Sequence, residues 1–245
     1  MRADQFELDA ALAEDHWWWV ARRAILARVM DRLIGPGTDR RVLEVGCSTG
    51  SNLPMLRRYG RVRAIEAHRP AVDCCRRRHP TIPVVHGRIP DPLDGRFDVI
   101  CLFDVLEHIA DDRRALDWID EHLAPGGTLF LTVPAFAFLW SRHDELAHHH
   151  RRYTMRTLLP LVRERFDLRF ASYFNTHLFP AIAAVRLAAR LLRRPGGDAD
   201  KAFGGRGPIN GVLRAVFAAE RWWLPAIRLP FGVSILVAAA KRSAD

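Results

Sequence analysis

The sequence predicts an α/β fold in which helices cover both faces of a mostly parallel sheet. Short apolar runs alternate with helical stretches in the first half of the chain, the rhythm of βαβ units. A glycine-rich turn directly follows the first of these runs, and an acidic residue ends the second. A hydrophobic content of 49% in 245 residues supports a substantial core, so we expect one domain, residues 1–245, with appended helices.

The predicted elements begin with a leading helix over 17–33, where apolar residues recur with helical spacing before the breaker Gly35-Pro36-Gly37. A further helix is predicted over about 111–123, with Gly126-Gly127 marking the link to the strand that follows. Five apolar runs predict short strands, at 41–45, 61–66, 82–86, 97–103 and 128–133.

Beyond Val133 the rhythm changes, and a polar, histidine-rich loop leads into the second half of the chain. The glycines, prolines and charges of 193–208 predict a flexible linker. Another helix follows this linker. We expect this region to form a helical insertion before the last strand, with its main segments at 155–165 (helix), 166–174 (extended), 178–194 (apolar, arginine-studded helix) and 232–240 (final strand).

Composition and charge narrow the functional class only slightly. A formal net charge of +9 and a pI near 10.3 permit nucleic acid, a membrane or an acidic substrate as partner. The N-terminal stretch carries acids where a signal peptide carries positive charge, and no apolar run reaches the length of a membrane span. The four cysteines form no C-x-x-C pair. We therefore expect a cytoplasmic protein with reduced thiols.

The stretch VLEVGCSTGSNL at 42–53 admits two interpretations. Gly46, Ser48 and Gly50 fit the G-x-S-x-G pattern of a nucleophile elbow. They also fit a cofactor cradle, in which a tight turn and a helix N-terminus approach a nucleotide-like ligand. Only about 40 residues precede the stretch, too few for the strands and oxyanion loop that an elbow needs. We favour the cradle, with Ser48 as a small turn residue that is tolerated if its φ is negative.

Two acids strengthen the cradle interpretation. Glu66 ends the second predicted strand, where its carboxylate can accept hydrogen bonds from both ribose hydroxyls of a cofactor. Glu44 lies inside an apolar strand, where an unpaired carboxylate is costly to bury, so it needs a cationic or donor partner. A ligand with an amino group meets that need, whereas a pyrophosphate would be repelled. A dinucleotide dehydrogenase remains an alternative because it satisfies the same spacing.

Four segments in a fixed order resemble the class I S-adenosylmethionine (SAM) dependent methyltransferases: L-E-V-G-C-S-T-G-S-N (43–52), A-I-E-A (64–67), F-D-V-I-C-L-F-D-V-L-E-H-I (97–109) and L-A-P-G-G-T-L-F-L-T-V-P (123–134). The resemblance implies a Rossmann-like sheet of seven strands with the last strand inserted antiparallel. We divide the chain into a helical lid (1–38), a SAM-binding core (39–135) and a region (136–245) that holds the acceptor-side loop, the helical insertion and the C-terminal strands. The tryptophans at 17–19 either cover the ligands as a lid or pack the leading helix onto the sheet.

By this resemblance, the cofactor contacts lie at the ends of the first, second and fourth strands. Glu44 would help hold the amino group of SAM, and Glu66 its ribose. The adenine contacts are Arg88 and Ile89, although the Arg88 side chain cannot accept a hydrogen bond where many members have an acid. The remaining contacts are predicted at Gly46, Cys47, Ser48, Gly50, Asn52, Ala67, Phe103, Asp104, Val105 and His108.

The loop at 133–154 should wall the acceptor side, because ligands lie beyond the carboxyl ends of strands in α/β sheets. Its V-P-A…L-W-S-x-H-D…H-x-R-R-Y run is similar to a subgroup of bacterial methyltransferases. His149 matches the subgroup's histidine and is the first candidate general base, with His143 second. Three successive histidines cannot all aim at one ion, so we expect no metal. Acceptor contacts are predicted at Trp18, Arg151, Arg152 and Tyr153.

These features predict a SAM-dependent methyltransferase that methylates an oxygen of a small-molecule or lipid-linked acceptor. Arg151 and Arg152 can bind an acidic group of that acceptor. The preference for oxygen rests on the histidine-rich loop and on F-D-V…L-E-H-I, which is similar to quinone-type O-methyltransferases. Helix 178–194 is expected to pack on the domain, with peripheral membrane contact as the alternative, and nucleic acid is not expected. The alternatives are an NAD-dependent dehydrogenase and a basic RNA- or membrane-binding module on an inactive methyltransferase fold. A separate alternative for the loop is that its histidines are solvated and its arginines tie down the following helix.

Overall fold

The computed structural model describes residues 3–191 and 207–242. Its strands are β1 Arg41–Val45, β2 Arg61–Glu66, β3 Val84–His86, β4 Phe97–Phe103, β5 Leu123–Pro134, β6 Phe166–Phe174 and β7 Ser234–Lys241. They form one seven-stranded sheet in the order β3-β2-β1-β4-β5-β7-β6. The first five strands are parallel, and β7 lies antiparallel between β5 and β6. The predicted fold class and the antiparallel position of the last strand are confirmed.

The described helices are α1 Ala3–Asp15, α2 Trp17–Leu33, α3 Leu53–Leu56, α4 Arg69–Arg78, α5 Asp112–His122, α6 Arg142–Leu146, α7 Met155–Arg163, α8 Phe179–Leu191 and α9 Pro208–Ala218. The leading helix α2 has its predicted bounds. Helix α1 was not predicted, because its acids and alanines show no clear apolar face. It joins the domain through ion pairs with α4, between Glu7 and Arg77 and between Glu14 and Arg78.

The sheet is buried on both faces, which explains why its strands read as continuous apolar runs. On one face, Val42 of β1 packs in a cluster with Ile25 and Val29 of α2. On the other face, Leu43 packs in a cluster with Leu116 of α5. Neighbouring β1 residues thus alternate between the two clusters. Because β1 pairs in parallel with β2 and β4, the carboxyl ends of these strands lie at one edge, where the predicted cofactor residues lie.

Strand β5 is longer than the sequence predicted. Leu123 pairs with Phe97, and a register shift follows before Thr128 pairs with Val99. Gly126-Gly127, predicted as a link, therefore lie inside the strand at this irregularity. A Cβ on Gly127 would lie 2.8 Å from the Ala124 carbonyl oxygen, so glycine is required where the backbone bends back on itself.

The second half of the chain follows the predicted order. Strand β6 coincides with the extended run, and α8 begins at Phe179. The predicted linker at 193–208 lies outside the described residues except for its last two positions. No helix within residues 3–191 and 207–242 is both long and apolar enough to cross a membrane.

Candidate functional site

The turn between β1 and α3 has backbone geometry that glycine adopts most easily. Gly46 and Gly50 have φ angles of +71° and +84°. A Cβ on Gly46 would lie 2.5 Å from Cγ2 of Val105, and one on Gly50 would lie 2.6 Å from Cδ2 of His79. A larger residue at either position would therefore displace the turn that the sequence assigned to the cofactor.

Ser48 corrects an expectation, since its φ is +48° and not negative. A non-glycine residue in this region costs about 1 kcal/mol or more, and such strain persists only where the surroundings enforce it. The enforcing contact is a hydrogen bond from the Ser48 backbone N–H to Oε2 of Glu66, at 2.9 Å. The turn after β1 is thereby fastened to the acid at the end of β2.

The Cys47 side chain is buried. Its Sγ lies 3.7 Å from the Ser48 carbonyl oxygen and 4.0 Å from Sγ of Cys75 on α4. The hydrogen bond with Cys75, together with burial, raises the pKa of the Cys47 thiol far above its ordinary value. Cys47 is therefore an unreactive core thiol, and any cofactor contact there comes from the main chain.

Glu44 has the donor partner that its position in β1 required. Its Oε1 accepts a hydrogen bond of 2.7 Å from Nδ2 of Asn52, which begins the segment after the turn. Burial raises the pKa of Glu44 to about 8. Oε2 of Glu44 and Oδ1 of Asn52 are buried with no hydrogen-bond partner. Two unsatisfied acceptors at one point fit an ammonium group, which is what the amino group of SAM offers.

Glu66 is buried at the end of β2 and organises the neighbouring backbone. Besides Ser48, it accepts from the backbone N–H of His68 at 2.8 Å. The carboxylate keeps acceptor capacity for a ribose hydroxyl, because each oxygen has two lone pairs. Ala67, also predicted as a contact, accepts at its carbonyl from Nε2 of His86 at 3.0 Å. These bonds hold the end of β2 beside β3.

The predicted adenine contacts follow β3 and separate into an exposed and a buried residue. The Arg88 guanidinium is exposed and lies 3.9 Å from the Asp91 carboxylate. Ile89 is buried in the core cluster that includes Leu43 and Ile65 of β1 and β2. Ile89 is therefore the better placed of the two to contact an apolar ring, and an adenine contact at either residue stays a prediction.

Arg22 is a site residue that sequence reasoning missed. Its guanidinium is fully buried, and its Nη2 donates to Oδ2 of Asp104 at 2.7 Å and to Oγ1 of Thr132 at 2.8 Å. Thr132 Oγ1 in turn donates to Oδ1 of Asp104 at 3.0 Å. The ends of β4 and β5 are thus fastened to α2. The sequence contained a signal that Arg22 has a buried partner. Arg22 lies on the apolar stripe of the helix with Ile25, where a charged side chain needs a partner.

Aromatic rings surround this guanidinium. The ring centroids of Trp18, Phe103 and Trp19 lie 5.0, 5.5 and 6.0 Å from the Arg22 guanidinium carbon. Asp104 has a φ of +58°, which turns the chain sharply after β4. The predicted residues Trp18, Phe103 and Asp104 therefore form one cluster around Arg22 at the carboxyl edge of the sheet.

Asp144 organises the loop after β5. It is fully buried and accepts from Nε and Nη2 of Arg152, at 2.8 and 3.0 Å, and from Nδ1 of His149, at 2.8 Å. Burial alone would raise the pKa of Asp144, but the hydrogen bonds from His149 and Arg152 hold it well below its usual range. An ionised Asp144 orients the His149 ring, since it fixes the proton on Nδ1 and leaves Nε2 as an acceptor.

Three predicted acceptor contacts in this loop, Arg151, Arg152 and Tyr153, bond to other parts of the protein. Arg152 is buried, and its guanidinium pairs with Asp144 and donates to the Ala135 carbonyl oxygen. The buried Tyr153 hydroxyl donates to Oδ2 of Asp112 at 3.1 Å, and Arg151 donates to the same oxygen at 2.7 Å. These bonds do not favour acceptor contact by Arg152 or Tyr153. They tie the loop to α5.

The His149 ring lies close to a second histidine of the loop and to a histidine that follows β4. The ring centroid of His149 lies 4.6 Å from that of His108 and 6.1 Å from that of His143. Surrounding protein atoms and the nearby His149 ring lower the pKa of His108 to about 4, although part of the His108 ring reaches solvent. His108, predicted as a cofactor contact, thus lies where the cofactor edge and the acceptor loop join.

A cleft of about 770 Å³ opens beside the loop, between α7, β6 and the segment before β7. The rings of Phe136 and Tyr173 stack with centroids 5.1 Å apart at one end of it. Its lining combines these apolar surfaces with three arginines, Arg156, Arg163 and Arg228. A cleft of this kind suits a ligand with an apolar body and an acidic group.

The fold and the turn after β1 define a class I methyltransferase domain, and comparison with known proteins specifies the family. Residues 18–189 match the family described as "Methyltransferase domain", so the chain belongs to that family. The alternatives of a dehydrogenase and of an inactive binding module are not favoured. The domain's enzyme class is SAM-dependent methyltransferase, and its cofactor is SAM.

The chain is similar to two curated relatives, of which one is named as a probable SAM-dependent methyltransferase. An uncharacterized 37.1 kDa protein of a Streptomyces fradiae transposon is 32% identical over 211 residues, 82% of this chain and 54% of the relative. A probable SAM-dependent methyltransferase of Mycolicibacterium smegmatis is 29% identical over 126 residues, 50% of this chain and 48% of the relative. The chain thus spans about half the length of the curated relatives it matches.

Among solved structures, the N-methyltransferase NodS of Bradyrhizobium japonicum, in complex with S-adenosylhomocysteine (SAH), superimposes with a TM-score of 0.59. The match covers 98% of both chains at 15% identity. At this identity, the likeness supports the fold and carries no information about the acceptor.

Proposed function

We propose that the protein transfers the methyl group of SAM to a hydroxyl oxygen of a small-molecule acceptor that carries an acidic group. The observation that carries the proposal is the Asp144–His149 pair, in which a buried carboxylate holds the imidazole by Nδ1 at 2.8 Å. This arrangement leaves Nε2 ready to accept a proton.

SAM, when bound, supplies an electrophilic methyl group for in-line displacement. Glu44 and Asn52 would hold its amino group, and Glu66 its ribose. His149 would take the proton of the acceptor hydroxyl at Nε2, and the ionised Asp144 would stabilise the resulting imidazolium. His143, whose ring lies 6.1 Å from that of His149, is the second candidate for this proton transfer. Packing of Trp18 over Arg22 supports a role for α2 in covering the acceptor side and excluding water.

The cleft beside the loop supports an acidic acceptor. Its three arginines provide positive charge next to aromatic surface. Arg151, with a side chain one-third exposed, is the best placed of the loop arginines to add a contact. A lipid-linked acceptor is a second candidate, because Leu187 and Leu191 of α8 are exposed at 39% and 83% and could rest on a membrane surface. Cytoplasmic location is part of the proposal, and four free cysteines support it.

The test is methyl transfer itself. Purified protein and SAM carrying a labelled methyl group would be incubated with matched acceptors that present a phenol, an alcohol or an amine beside a carboxylate. We expect labelled ether products, with kcat falling 100-fold or more in His149→Ala. His150→Ala is the matched control, since His150 is an exposed neighbour, and it should retain activity. Methylation of amines only, or equal activity of His149→Ala and the wild type, would refute the assignment of oxygen or of the base.

A further inference from the structure

Glu107 is a buried acid that the proposed function does not use. It lies in the 3₁₀ helix Leu106–His108, directly after the turn that ends β4. Its side chain is fully buried, and neither carboxylate oxygen has a hydrogen-bond partner. A carboxylate in this position needs either a proton or a cation.

Two histidines face this carboxylate from different segments. His108 follows Glu107 in the chain, and His149 comes from the loop after β5. One ligand atom from each of the three residues can be chosen so that all lie within 4.8 Å of one another. Ligand atoms around a tetrahedral zinc ion are roughly 3.3 Å apart, given Zn–N and Zn–O distances of about 2 Å. Small side-chain rotations would close that difference.

The surroundings of His149 match those of a metal ligand. Metal-binding histidines usually donate their second ring N–H to a carboxylate, which fixes the tautomer and raises the basicity of the ligating nitrogen. His149 makes this bond to Asp144 at 2.8 Å, and Asp144 is itself held by Arg152. Of the three successive histidines at 148–150, only His149 belongs to this cluster, and its partners come from the 3₁₀ helix after β4.

We propose that Glu107, His108 and His149 bind one divalent transition-metal ion of the zinc class, with a coordination position left open on the acceptor side. Two imidazoles and one carboxylate suit Zn²⁺, Co²⁺ or Fe²⁺, whereas Mg²⁺ and Ca²⁺ prefer oxygen ligands. With the ion bound, His149 would serve as a ligand and His143, whose ring lies 6.1 Å from that of His149, would take the proton. An acceptor hydroxyl bound at the open position would give up that proton more readily.

Metal binding can be measured without SAM or an acceptor, so the result is independent of the proposed methyl transfer. The tag-free chain would be titrated with Zn²⁺ in competition with a chromogenic chelator. We expect one Zn²⁺ per chain at micromolar affinity or tighter. His149→Ala and His108→Ala should each weaken binding by 30-fold or more. His150→Ala, an exposed histidine next to the cluster, should leave the affinity unchanged.

Glu107→Gln keeps the side-chain shape, removes the negative charge and tests the site if a histidine variant fails to fold. We expect it to weaken Zn²⁺ binding without lowering the melting temperature of the metal-free protein. Bound Co²⁺ should give a visible d–d absorption band in the wild type that is absent from both histidine variants and from Glu107→Gln. Millimolar or weaker Zn²⁺ binding by the wild type would overturn the proposal. So would binding that survives all three substitutions, or that falls as much in His150→Ala.

Discussion

The cofactor turn and the acceptor loop lie at the same edge of the sheet, yet they are held in different ways. The turn is held mainly by main-chain geometry and by acids close in sequence, such as the bond from Ser48 to Glu66, 18 residues apart. The acceptor loop and the strand ends next to it are held by charged side chains from distant segments. Arg151 of the loop bonds to Asp112, 39 residues away, and Arg22 of α2 bonds to Asp104 and Thr132, 82 and 110 residues away. A local site tolerates little change of its own residues, whereas the assembled one depends on how helices and strands are packed together.

The largest effect should come from breaking the assembled side at Arg22. Arg22→Met removes a buried guanidinium and leaves Asp104 without its cation, which should lower the free energy of unfolding by about 3 kcal/mol. Urea denaturation measures this change. The exposed Arg32 of the same helix is the matched control, and Arg32→Met should change the free energy by less than about 0.5 kcal/mol. Adding Asp104→Asn to Arg22→Met should recover part of the loss. Equal losses for the two arginines would contradict the role of the buried pair.

In the cofactor turn, the substitution with the largest expected effect on SAH affinity is at Gly46. Gly46→Ala forces an unfavourable φ and places a Cβ against Val105, so SAH affinity should fall 100-fold or more, or about 2.7 kcal/mol. Calorimetric titration with SAH measures the affinity. Gly95 separates conformational strain from crowding, because its φ is +97° and a Cβ there would meet nothing within 4 Å. Gly95→Ala should leave the SAH affinity unchanged, and a comparable loss there would refute the crowding argument.

A smaller effect should be the release of a proton when SAH binds. Burial raises the pKa of Glu44 from 4.5 to about 8, so the folded protein holds a proton there at pH 7. The stability associated with that proton is full below about pH 4.5 and is lost as the pH rises through 8. An ammonium group favours the ionised carboxylate, so SAH binding at pH 7 should release close to one proton.

Titrations in buffers of different ionisation enthalpy count the protons released on binding. Glu44→Gln should abolish the release and flatten the dependence of stability on pH between about 4.5 and 8. Release that is unchanged in Glu44→Gln would mean that the amino group of the ligand binds elsewhere.

The contrast between the two sides also explains what the sequence could predict. Gly46, Glu44 and Glu66 follow from spacing, because a strand, a turn and the next strand fix their positions within a short segment. Ser48 shows a limit of that reasoning, since the chain enforces a positive φ through the bond to Glu66. Arg152 shows another, because its burial against Asp144 depends on how the loop packs.

The cluster of Glu107, His108 and His149 could not be predicted from the sequence motifs. Glu107 and His108 were part of a strand-end segment assigned to the cofactor, and His149 belonged to the loop. The topology brings β4 and β5 side by side and so joins the two segments. No spacing rule links residues 107 and 149, whereas the pairing of neighbouring parallel strands does.

The most direct test of the account is a calorimetric titration with SAH of the wild type and of Glu66→Ala, with the exposed Asp94→Ala as control. We expect micromolar binding by the wild type and by Asp94→Ala. Binding should be about tenfold weaker in Glu66→Ala, which corresponds to a loss of about 1.4 kcal/mol of charge-assisted hydrogen bonding. Absence of SAH binding by the wild type, with NADH bound instead, would contradict the central claim that this edge of the sheet is a SAM site.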